Sequence, residues 1–541
     1  MSTFSILLRQ RIRRDRITVP IWILSTGLLA LFAAASILQT YGATSDRTAI
    51  LRLAAANPSL LALRGLPEGA SLGAFNFFEV YTYLALLAAF MSTFLAVRHT
   101  RAEEESGRAE LVASTPAART APTVATLVHG ILANLALGLF TALCLIAARL
   151  DAGGSFVTGA ALAATGIGFL GIGMLAAQFM RTSRAANSVS VAVIGLAYLL
   201  RAIGDAMGTA SAGGLHVASG WPSWISPLGW GQQTGAYAGN DLTPLLLNLA
   251  LAAVCVGAVF AIQAQRDSGA SLIAGASARA EARPSLSGSF GLGWRLQWPT
   301  IVGWCIGGAA FGLLIGAVGG VLTSAVASSA DVGEALKTIV PGSGGETLIE
   351  TFILAIFEFI GALAAACAIQ AIMRMRQEES LGTAEILLST PISRVRWLAD
   401  YLLLGVVAIA LVLACGALGS GLSLIGAGQD GSFFGDSFVV AVAQLPTALI
   451  YLSVLALVFV LVPGLTIALG WALFGLGILI GPFGGLVGLP KWIQDISPFV
   501  HTPTPLGSSP DWTGGIWMLV IAIVVAALAV VVMRRRDLQT S

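Results

Sequence analysis

Long apolar runs, separated by short polar stretches, recur along the whole 541-residue chain. Each run has about 20 residues, the length that an α-helix needs to cross the hydrocarbon core of a bilayer. Helices of a soluble protein would need solvated faces, but these runs contain almost no charged residues. The pattern therefore predicts an all-α integral membrane protein. Its twelve spans are expected at residues 19–40, 74–97, 122–148, 157–180, 187–205, 243–263, 299–325, 348–372, 398–426, 437–461, 464–486 and 514–533.

The composition agrees with this pattern, because 56% of the residues are hydrophobic and only 10% are charged. Basic residues are retained in cytoplasmic loops, so their distribution predicts the orientation. With the N-terminus inside, 22 of the 29 basic residues fall on the cytoplasmic side. We expect a multi-pass protein of the cytoplasmic (plasma) membrane with both termini in the cytoplasm. The first apolar run exceeds the h-region of about 7–15 residues in a signal peptide, so it is expected to be retained.

A repeat organises the chain. Residues 101–119 and 376–394 align without gaps at an offset of 275 and are identical at ten of nineteen positions. Between these two copies, residues 264–297 are rich in Gly, Ala and Ser and resemble a flexible cytoplasmic linker. We therefore expect a first six-helix half at 1–263, the linker at 264–297, and a second six-helix half at 298–541. Equal, even numbers of spans predict parallel topology, with an axis along the membrane normal.

The repeated segment lies on the cytoplasmic side, between the second and third spans of each half. Glu103, Gly107 and Glu110 have the spacing of one helix face, and the second copy repeats it. The following Ser-Thr-Pro predicts a corner, with Thr115 or Thr390 as N-cap and the proline as the first residue of the next helix. A partner that binds such a rigid elbow could move the attached span. The alternative is a solvated loop whose charges only enforce topology.

The doubled acid-glycine-acid and Ser-Thr-Pro pattern resembles the cytoplasmic coupling segment of ABC-2-type transporter permeases. The chain resembles actinobacterial antibiotic exporters of the tetronasin or polyketide-antibiotic type in three features: the two fused halves, the RDSGA near the start of the linker, and the WRLQ at its end. The resemblance implies a permease that pairs with two copies of a separate ATP-binding subunit, which would carry ATP and Mg, and that exports hydrophobic compounds. It also implies the residues that dock those subunits: Arg101, Glu103, Glu104, Gly107, Glu110, Pro116, Arg119, Arg376, Glu378, Glu379, Gly382, Glu385, Pro391 and Arg394.

The residues themselves support a separate motor. A P-loop needs a lysine that reaches the phosphates, and the only lysines are Lys337 and Lys491, both assigned outside. We expect no enzyme activity and no cofactor in this chain. The histidines and cysteines lack metal-ligand spacing along the sequence, so no metal site and no catalytic residue is expected. The expected partners are the bilayer and a hydrophobic small molecule, without nucleic acid.

Two glutamates lie inside predicted spans, where a charge costs about 2.5–3.5 kcal/mol on insertion scales. Glu79 and Glu358 occupy corresponding spans among aromatic residues, a setting that suits amphipathic or cationic drugs. We expect the two helices to face each other and to line the substrate path. The alternative is that each glutamate bonds a neighbouring helix. The predicted substrate-path residues are Phe75, Phe78, Glu79, Tyr83, Phe352, Phe357 and Glu358.

Three functional classes remain open on sequence alone. The first is a permease subunit of an ATP-binding cassette exporter that moves hydrophobic or amphipathic compounds, such as antibiotics, out of the cell. The second is a proton-coupled secondary drug transporter, in which Glu79 or Glu358 would carry protons. The third is a membrane scaffold or lipid-handling protein. Outside the membrane, the Trp/Pro-rich stretches at 224–230 and 495–501 predict either interfacial hairpins or ordinary aromatic loops. Near the outer end of the fifth span, Arg201 with Asp205 predicts a local ion pair.

Overall fold

A computed structural model describes residues 3–56, 58–115, 118–211, 213–265, 288–328, 345–482, 490–506 and 510–536. Over these residues the chain is almost entirely helical. It divides into two compact units, Met1–Ser277 and Ala278–Ser541. Among the described residues, twelve helices are long and apolar enough to cross a membrane, six in each unit. This confirms the all-α membrane fold, while the axis that would relate the two halves stays a prediction.

The first unit alternates long apolar helices with short connecting elements. Its helices are α1 (Thr3–Arg14), α2 (Thr18–Thr40), α3 (Thr44–Ala55), α4 (Pro58–Arg64), α5 (Leu72–Arg98), α6 (Arg101–Glu105), α7 (Arg108–Ala113), α8 (Ala121–Ala147), α9 (Ala152–Phe179), α10 (Ser183–Ala206), a 3₁₀ turn (Trp221–Ile225), α11 (Pro227–Gln232) and α12 (Leu245–Gln265). A two-stranded antiparallel ladder joins β1 (Thr209–Ala210) to β2 (Val217–Ala218). Capping side chains begin several of these helices: Ser71 for α5, Asp151 for α9 and Thr182 for α10.

Helix α9 lies at the centre of the first unit and packs against α5, α8 and α12. It contacts α8 closely because glycines face each other: a Cβ on Gly138 would lie 2.3 Å from the carbonyl oxygen of Gly159. Small residues allow helix backbones to approach in a membrane, where apolar burial supplies little driving force. A polar pair adds to this packing, since the Ser92 hydroxyl donates to Asn134 Oδ1 at 2.9 Å in the buried interior.

The second unit has the same general construction. Its helices are α13 (Ser289–Ser328), α14 (Gly345–Ser380), α15 (Thr383–Leu388), α16 (Arg394–Gly426), α17 (Ser432–Ala443), α18 (Leu445–Leu461), a 3₁₀ turn (Pro463–Leu465), α19 (Thr466–Ile480), α20 (Lys491–Gln494), a 3₁₀ turn (Pro498–His501) and α21 (Thr513–Met533). Helix α16 packs against α13, α14 and α17, and α18 packs against α21. The buried core includes Trp397, whose ring meets Tyr401 and Phe459 edge to face.

The predicted spans differ from the helices at several ends. The tenth predicted span, 437–461, lies within one candidate span, Ser432–Leu461. This span consists of two consecutive helices, α17 and α18, because Pro446 in the first turn of α18 has no N–H to continue the hydrogen bonding of α17. The eighth predicted span, 348–372, lies within helix α14 (Gly345–Ser380). Most of the predicted linker 264–297 lies outside the described residues, which exclude 266–287. The last part of the linker is helical, because α13 begins at Ser289.

The Trp/Pro-rich segment before α12 forms a packed hairpin rather than a free loop. Ser223 donates to Asp205 Oδ1 at 2.6 Å, and Ser226 donates to the carbonyl of Ala197 at 2.6 Å, so the hairpin is fastened to α10. The predicted Arg201–Asp205 pair is present, at 2.9 Å, and both side chains are at most 1% exposed. A buried charge must be paired and hydrogen-bonded, which makes this pair the centre of the polar network at that end of α10.

Candidate functional site

The two copies of the repeated segment adopt the same backbone shape. We call residues 101–115 elbow 1 and residues 376–390 elbow 2. Elbow 1 consists of α6, Gly107 and α7, and elbow 2 of the end of α14, Gly382 and α15. Both glycines are left-handed, with φ 73° and ψ −2° at Gly107 and φ 72° and ψ −2° at Gly382. An added Cβ would meet nothing within 4 Å at either site, so the backbone conformation, not lack of space, requires glycine.

This corner corrects the predicted helix face. Glu103, Gly107 and Glu110 were expected on one continuous helix, but the left-handed glycine ends one helix and caps the next. The same break separates Glu378 from Glu385 in elbow 2. Helical spacing therefore does not place these acids on one face. A glycine with acids on both sides indicates a turn here because only glycine adopts the left-handed region without strain.

The predicted role of the Ser-Thr-Pro threonines is also wrong. Thr115 donates to the carbonyl of Val112 at 2.6 Å, and Thr390 donates to that of Leu387 at 2.5 Å. Both hydroxyls thus close the preceding helix instead of capping the next one. The following spans begin several residues later, α8 at Ala121 and α16 at Arg394, where Ser393 is the N-cap. Pro116 lies outside the described residues, and Pro391 is exposed.

The second helix of each elbow presents matching exposed side chains. Glu110 and Glu385 are exposed, and each is followed by a large aliphatic residue with little protein contact. Leu111 is 71% exposed and Ile386 is 73% exposed. Both lie outside the apolar windows that could span a membrane. The two elbows therefore offer the same acid-aliphatic pair on the same short helix.

Other predicted docking residues of elbow 1 are engaged within the unit. Arg101 is 3% exposed and pairs with Glu104. Glu103 pairs with Arg14, at the end of α1, and lies 3.6 Å from Arg108. Of the remaining residues, Arg119 is exposed. These contacts tie elbow 1 to the N-terminal helix.

Elbow 2 is tied instead to the C-terminal end of its own unit. Glu379 is fully buried and binds Arg536 at 2.5 Å and Arg376 at 3.4 Å. Arg394 donates to the carbonyl of Arg536 at 2.5 Å. Glu378 is also buried and accepts a hydrogen bond from the Tyr401 hydroxyl at 2.7 Å. Burial leaves these two acids little exposed surface, and the docking role predicted for them stays a prediction.

A cavity of about 400 Å³ lies beside elbow 1. Its lining includes Arg11 and Arg14 of α1, Glu103 of elbow 1, and Arg119. Gln178 of α9 and Gln263 of α12 also line it. Burial and the nearby Arg14 charge lower the pKa of Arg11 to about 10. Arg11 is held in place by the carbonyls of His99, at 3.0 Å, and Pro122, at 2.7 Å.

Three further residues, one just after α1, one just after α5 and one within α8, meet beside this cavity. Asp15 Oδ2 lies 2.5 Å from His99 Nε2 and 3.1 Å from His129 Nε2. Burial by itself raises the pKa of Asp15, but hydrogen bonds from both histidines and the charge of Arg98 outweigh it, so that this pKa is lowered. The histidines are 30 residues apart in the sequence, and no spacing rule would have joined them to Asp15.

The predicted substrate-path residues divide between core and surface. Phe75, Phe78 and Phe357 are buried in hydrophobic clusters, whereas Tyr83 is 40% exposed. Glu79 forms an ion pair with Arg64 of α4. Glu358 is half-buried in α14, and the side chain of Phe352 lies outside the described residues. The role of this set in a substrate path stays a prediction, although the Arg64 contact accounts for the charge of Glu79.

Two comparisons identify the family. A family model described as "Multidrug efflux system permease Rv1217c, C-terminal domain" matches residues 286–534. Over 536 residues, the chain is 35% identical to "Multidrug efflux system permease protein Rv1217c" of Mycobacterium tuberculosis, with 98% of this chain and 95% of the relative covered. The chain belongs to this family of multidrug efflux permeases. The permease is therefore a multi-pass membrane protein and a transport subunit.

Sequence reasoning missed the residues that hold the elbows of this permease. Arg14 and Arg536 were counted only as orientation signals, but each binds an acid of an elbow. Both belong to basic clusters beside spans, and that position could have suggested a contact with the acids of the repeat. The Asp15–His99–His129 cluster carried no such signal.

Proposed function

We propose that this permease is the membrane subunit of an ATP-binding cassette exporter of the ABC-2 type. In this proposal both elbows face the cytoplasm, as do both termini, and each docks one copy of a separate ATPase subunit that carries ATP and Mg. The compounds moved out across the cytoplasmic membrane are hydrophobic or amphipathic, as expected for relatives of the tetronasin or polyketide-antibiotic exporters. The name of the Mycobacterium tuberculosis relative supports drug efflux.

The shared shape of the elbows carries the proposal. A loop that only enforces topology needs arginines, not the same left-handed corner twice with the same exposed helix after it. Exposed aliphatic side chains such as Leu111 and Ile386 are common singly on a surface. Here they recur at equivalent positions beside an exposed acid, which suits one type of partner bound twice.

The mechanism follows from the connection of each elbow to spans. Elbow 1 continues from α5, and elbow 2 is the end of α14 and the helix after it. A helix transmits force along its axis because its backbone hydrogen bonds lie within one segment. Closure of two ATPase subunits on ATP would push both elbows and turn an inward-facing cavity outward. The chain itself performs no covalent chemistry.

Charge reversal at the exposed acids tests this docking. Glu110→Arg combined with Glu385→Arg should abolish co-purification of the ATPase and ATP-driven efflux of a hydrophobic antibiotic. Asp430→Arg is the matched control, because Asp430 is fully exposed and distant in sequence from either elbow; it should retain both properties. Equal ATPase binding by the elbow double variant and the control would contradict the docking proposal.

The energy source needs its own experiment. Efflux by proteoliposomes that contain permease and ATPase should require ATP and survive collapse of the proton gradient. If efflux stops with the gradient while ATP is plentiful, the chain is a proton-coupled secondary drug transporter. In the same assay, Glu79→Gln and Glu358→Gln test the substrate path: unchanged transport of every substrate would leave these glutamates a structural role only.

A further inference from the structure

Three buried side chains beside elbow 1 come from three different helices and meet at one point. Asp15 follows α1, His99 follows α5, and His129 lies within α8. Their side chains are 2%, 1% and 7% exposed, respectively. One ligand atom from each lies within 4.8 Å of the other two. A carboxylate and two imidazoles thus share a small volume that the chain has gathered from positions 15, 99 and 129.

We propose that Asp15, His99 and His129 form a binding site for a divalent transition-metal ion, with Zn²⁺ as the preferred occupant. Zn²⁺ takes imidazole nitrogen and carboxylate oxygen, and sites with three protein ligands keep a fourth position for water. Imidazole also suits other first-row metals, but hard cations such as Mg²⁺ and Ca²⁺ prefer oxygen ligands. The proposal does not rest on ATPase docking.

The present geometry is close to what Zn²⁺ needs. Bonds of about 2.0–2.1 Å in a tetrahedron separate two ligand atoms by about 3.3 Å. Asp15 Oδ2 and His129 Nε2 are already 3.1 Å apart, the 2.5 Å contact with His99 has to widen, and the two imidazole nitrogens lie within 4.8 Å of each other. The required changes in these separations are about 1.5 Å or less, within the reach of side-chain torsions.

The surroundings supply two further features of a metal site. Arg98 Nη1 lies 3.1 Å from Asp15 Oδ1, the oxygen that does not face the histidines. Such an outer contact orients a ligating carboxylate, as is usual around bound metals. The cavity of about 400 Å³ is lined in part by His99, so one of the three ligands borders open space.

The site would act on the first elbow alone. The repeat offset of 275 places Arg374 at the position of His99 and Leu404 at that of His129, so the second unit lacks both imidazoles. His99 precedes Arg101 of elbow 1 by two residues, and Asp15 follows Arg14, which binds Glu103. A bound ion would therefore fasten α1, α5 and α8 together at the base of elbow 1 and make the two elbows unequal in stiffness.

The test measures metal binding by the full-length permease, purified in detergent without a histidine tag. After equilibration with Zn²⁺ and removal of free metal, we expect one Zn²⁺ per chain by elemental analysis. His129→Gln keeps the approximate size and a polar group but removes a ligand, so its affinity in a chelator competition should fall more than about 100-fold. Arg98→Gln removes the positioning contact with Asp15 and a hydrogen bond to Thr18 but no metal ligand, so it should weaken binding about 10- to 100-fold.

The matched control is the double variant His216→Gln and His501→Gln, which removes the two histidines outside the cluster and should bind Zn²⁺ like the unmodified chain. Size-exclusion profiles and thermal midpoints without Zn²⁺ show whether each variant is folded; if His129→Gln is not, His99→Gln replaces it. Absence of stoichiometric Zn²⁺ from the folded parent chain would overturn the proposal, as would Zn²⁺ binding that persists in a folded ligand variant or is lost in the control.

Discussion

The left-handed glycine of elbow 1 allows a quantitative test of the docking proposal. Gly107 has a φ of 73°, and an added Cβ would meet nothing within 4 Å. Gly107→Ala therefore introduces no collision, and its cost is conformational. A non-glycine residue in the left-handed region costs about 1–2 kcal/mol, while alanine recovers about 0.4–1 kcal/mol by restricting the unfolded chain. The net cost is about 1 kcal/mol.

This cost reduces the population of the elbow shape that docks. A free-energy difference of about 1.4 kcal/mol changes an equilibrium constant tenfold. A cost of about 1 kcal/mol therefore corresponds to about fivefold weaker binding of the ATPase. The double variant Gly107→Ala and Gly382→Ala should weaken both docking sites by this amount. The assay is titration of the purified ATPase against the permease in detergent, together with ATPase stimulation by the permease.

Two substitutions separate backbone strain from loss of a contact. Gly107→Asn adds a larger side chain but tolerates the left-handed region, so it should bind nearly as well as glycine. Gly195→Ala makes the same chemical change within helix α10, where a Cβ also meets nothing within 4 Å, and should leave binding unchanged. If the folded Gly107→Ala variant binds with unaltered affinity, or if asparagine is as weak as alanine, the backbone argument is refuted.

Three other substitutions test the packing within each unit, each by the thermal midpoint in detergent. Gly138→Ala should destabilise by about 1–3 kcal/mol, because its Cβ would lie 2.3 Å from the backbone oxygen of Gly159. Asp205→Asn should cost about 3–5 kcal/mol, since it leaves the buried Arg201 without its counter-ion. Glu379→Gln should cost a similar amount, about 3–5 kcal/mol, because the C-terminal arginine that it binds loses its charge partner.

Each of these substitutions has a control, which makes the same chemical change at a position where the side chain is exposed or meets no neighbouring atom. Gly257→Ala meets no atom within 4 Å, Asp241→Asn alters a fully exposed carboxylate, and Glu385→Gln alters an exposed acid of elbow 2. The Asp241 and Glu385 controls should have the midpoint of the unmodified permease, and Gly257→Ala should be at least as stable, because alanine favours a helix over glycine. A buried-site variant as stable as its control would show that the contact contributes nothing measurable.

Much of the fold could be predicted because the bilayer limits the choices. A spanning segment must satisfy its backbone hydrogen bonds internally and expose apolar side chains, so length and hydropathy alone locate helices. The repeat likewise identified both elbows, because ten identities in nineteen positions can be recognised from the sequence alone. Errors occurred where a local backbone choice decided the outcome, at the Gly107 corner and at the threonines of the two Ser-Thr-Pro sequences.

The sequence by itself determined that this chain is a helical membrane protein and that one cytoplasmic-type segment recurs at an offset of 275, because these properties depend on composition and on order along the chain. Only the tertiary structure decided which charges meet. Arg14 reaches Glu103, Arg536 reaches Glu379, and Asp15 lies between two histidines far away in the sequence. Such contacts depend on how separate helices pack, and the period of a single helix holds no information about its neighbours.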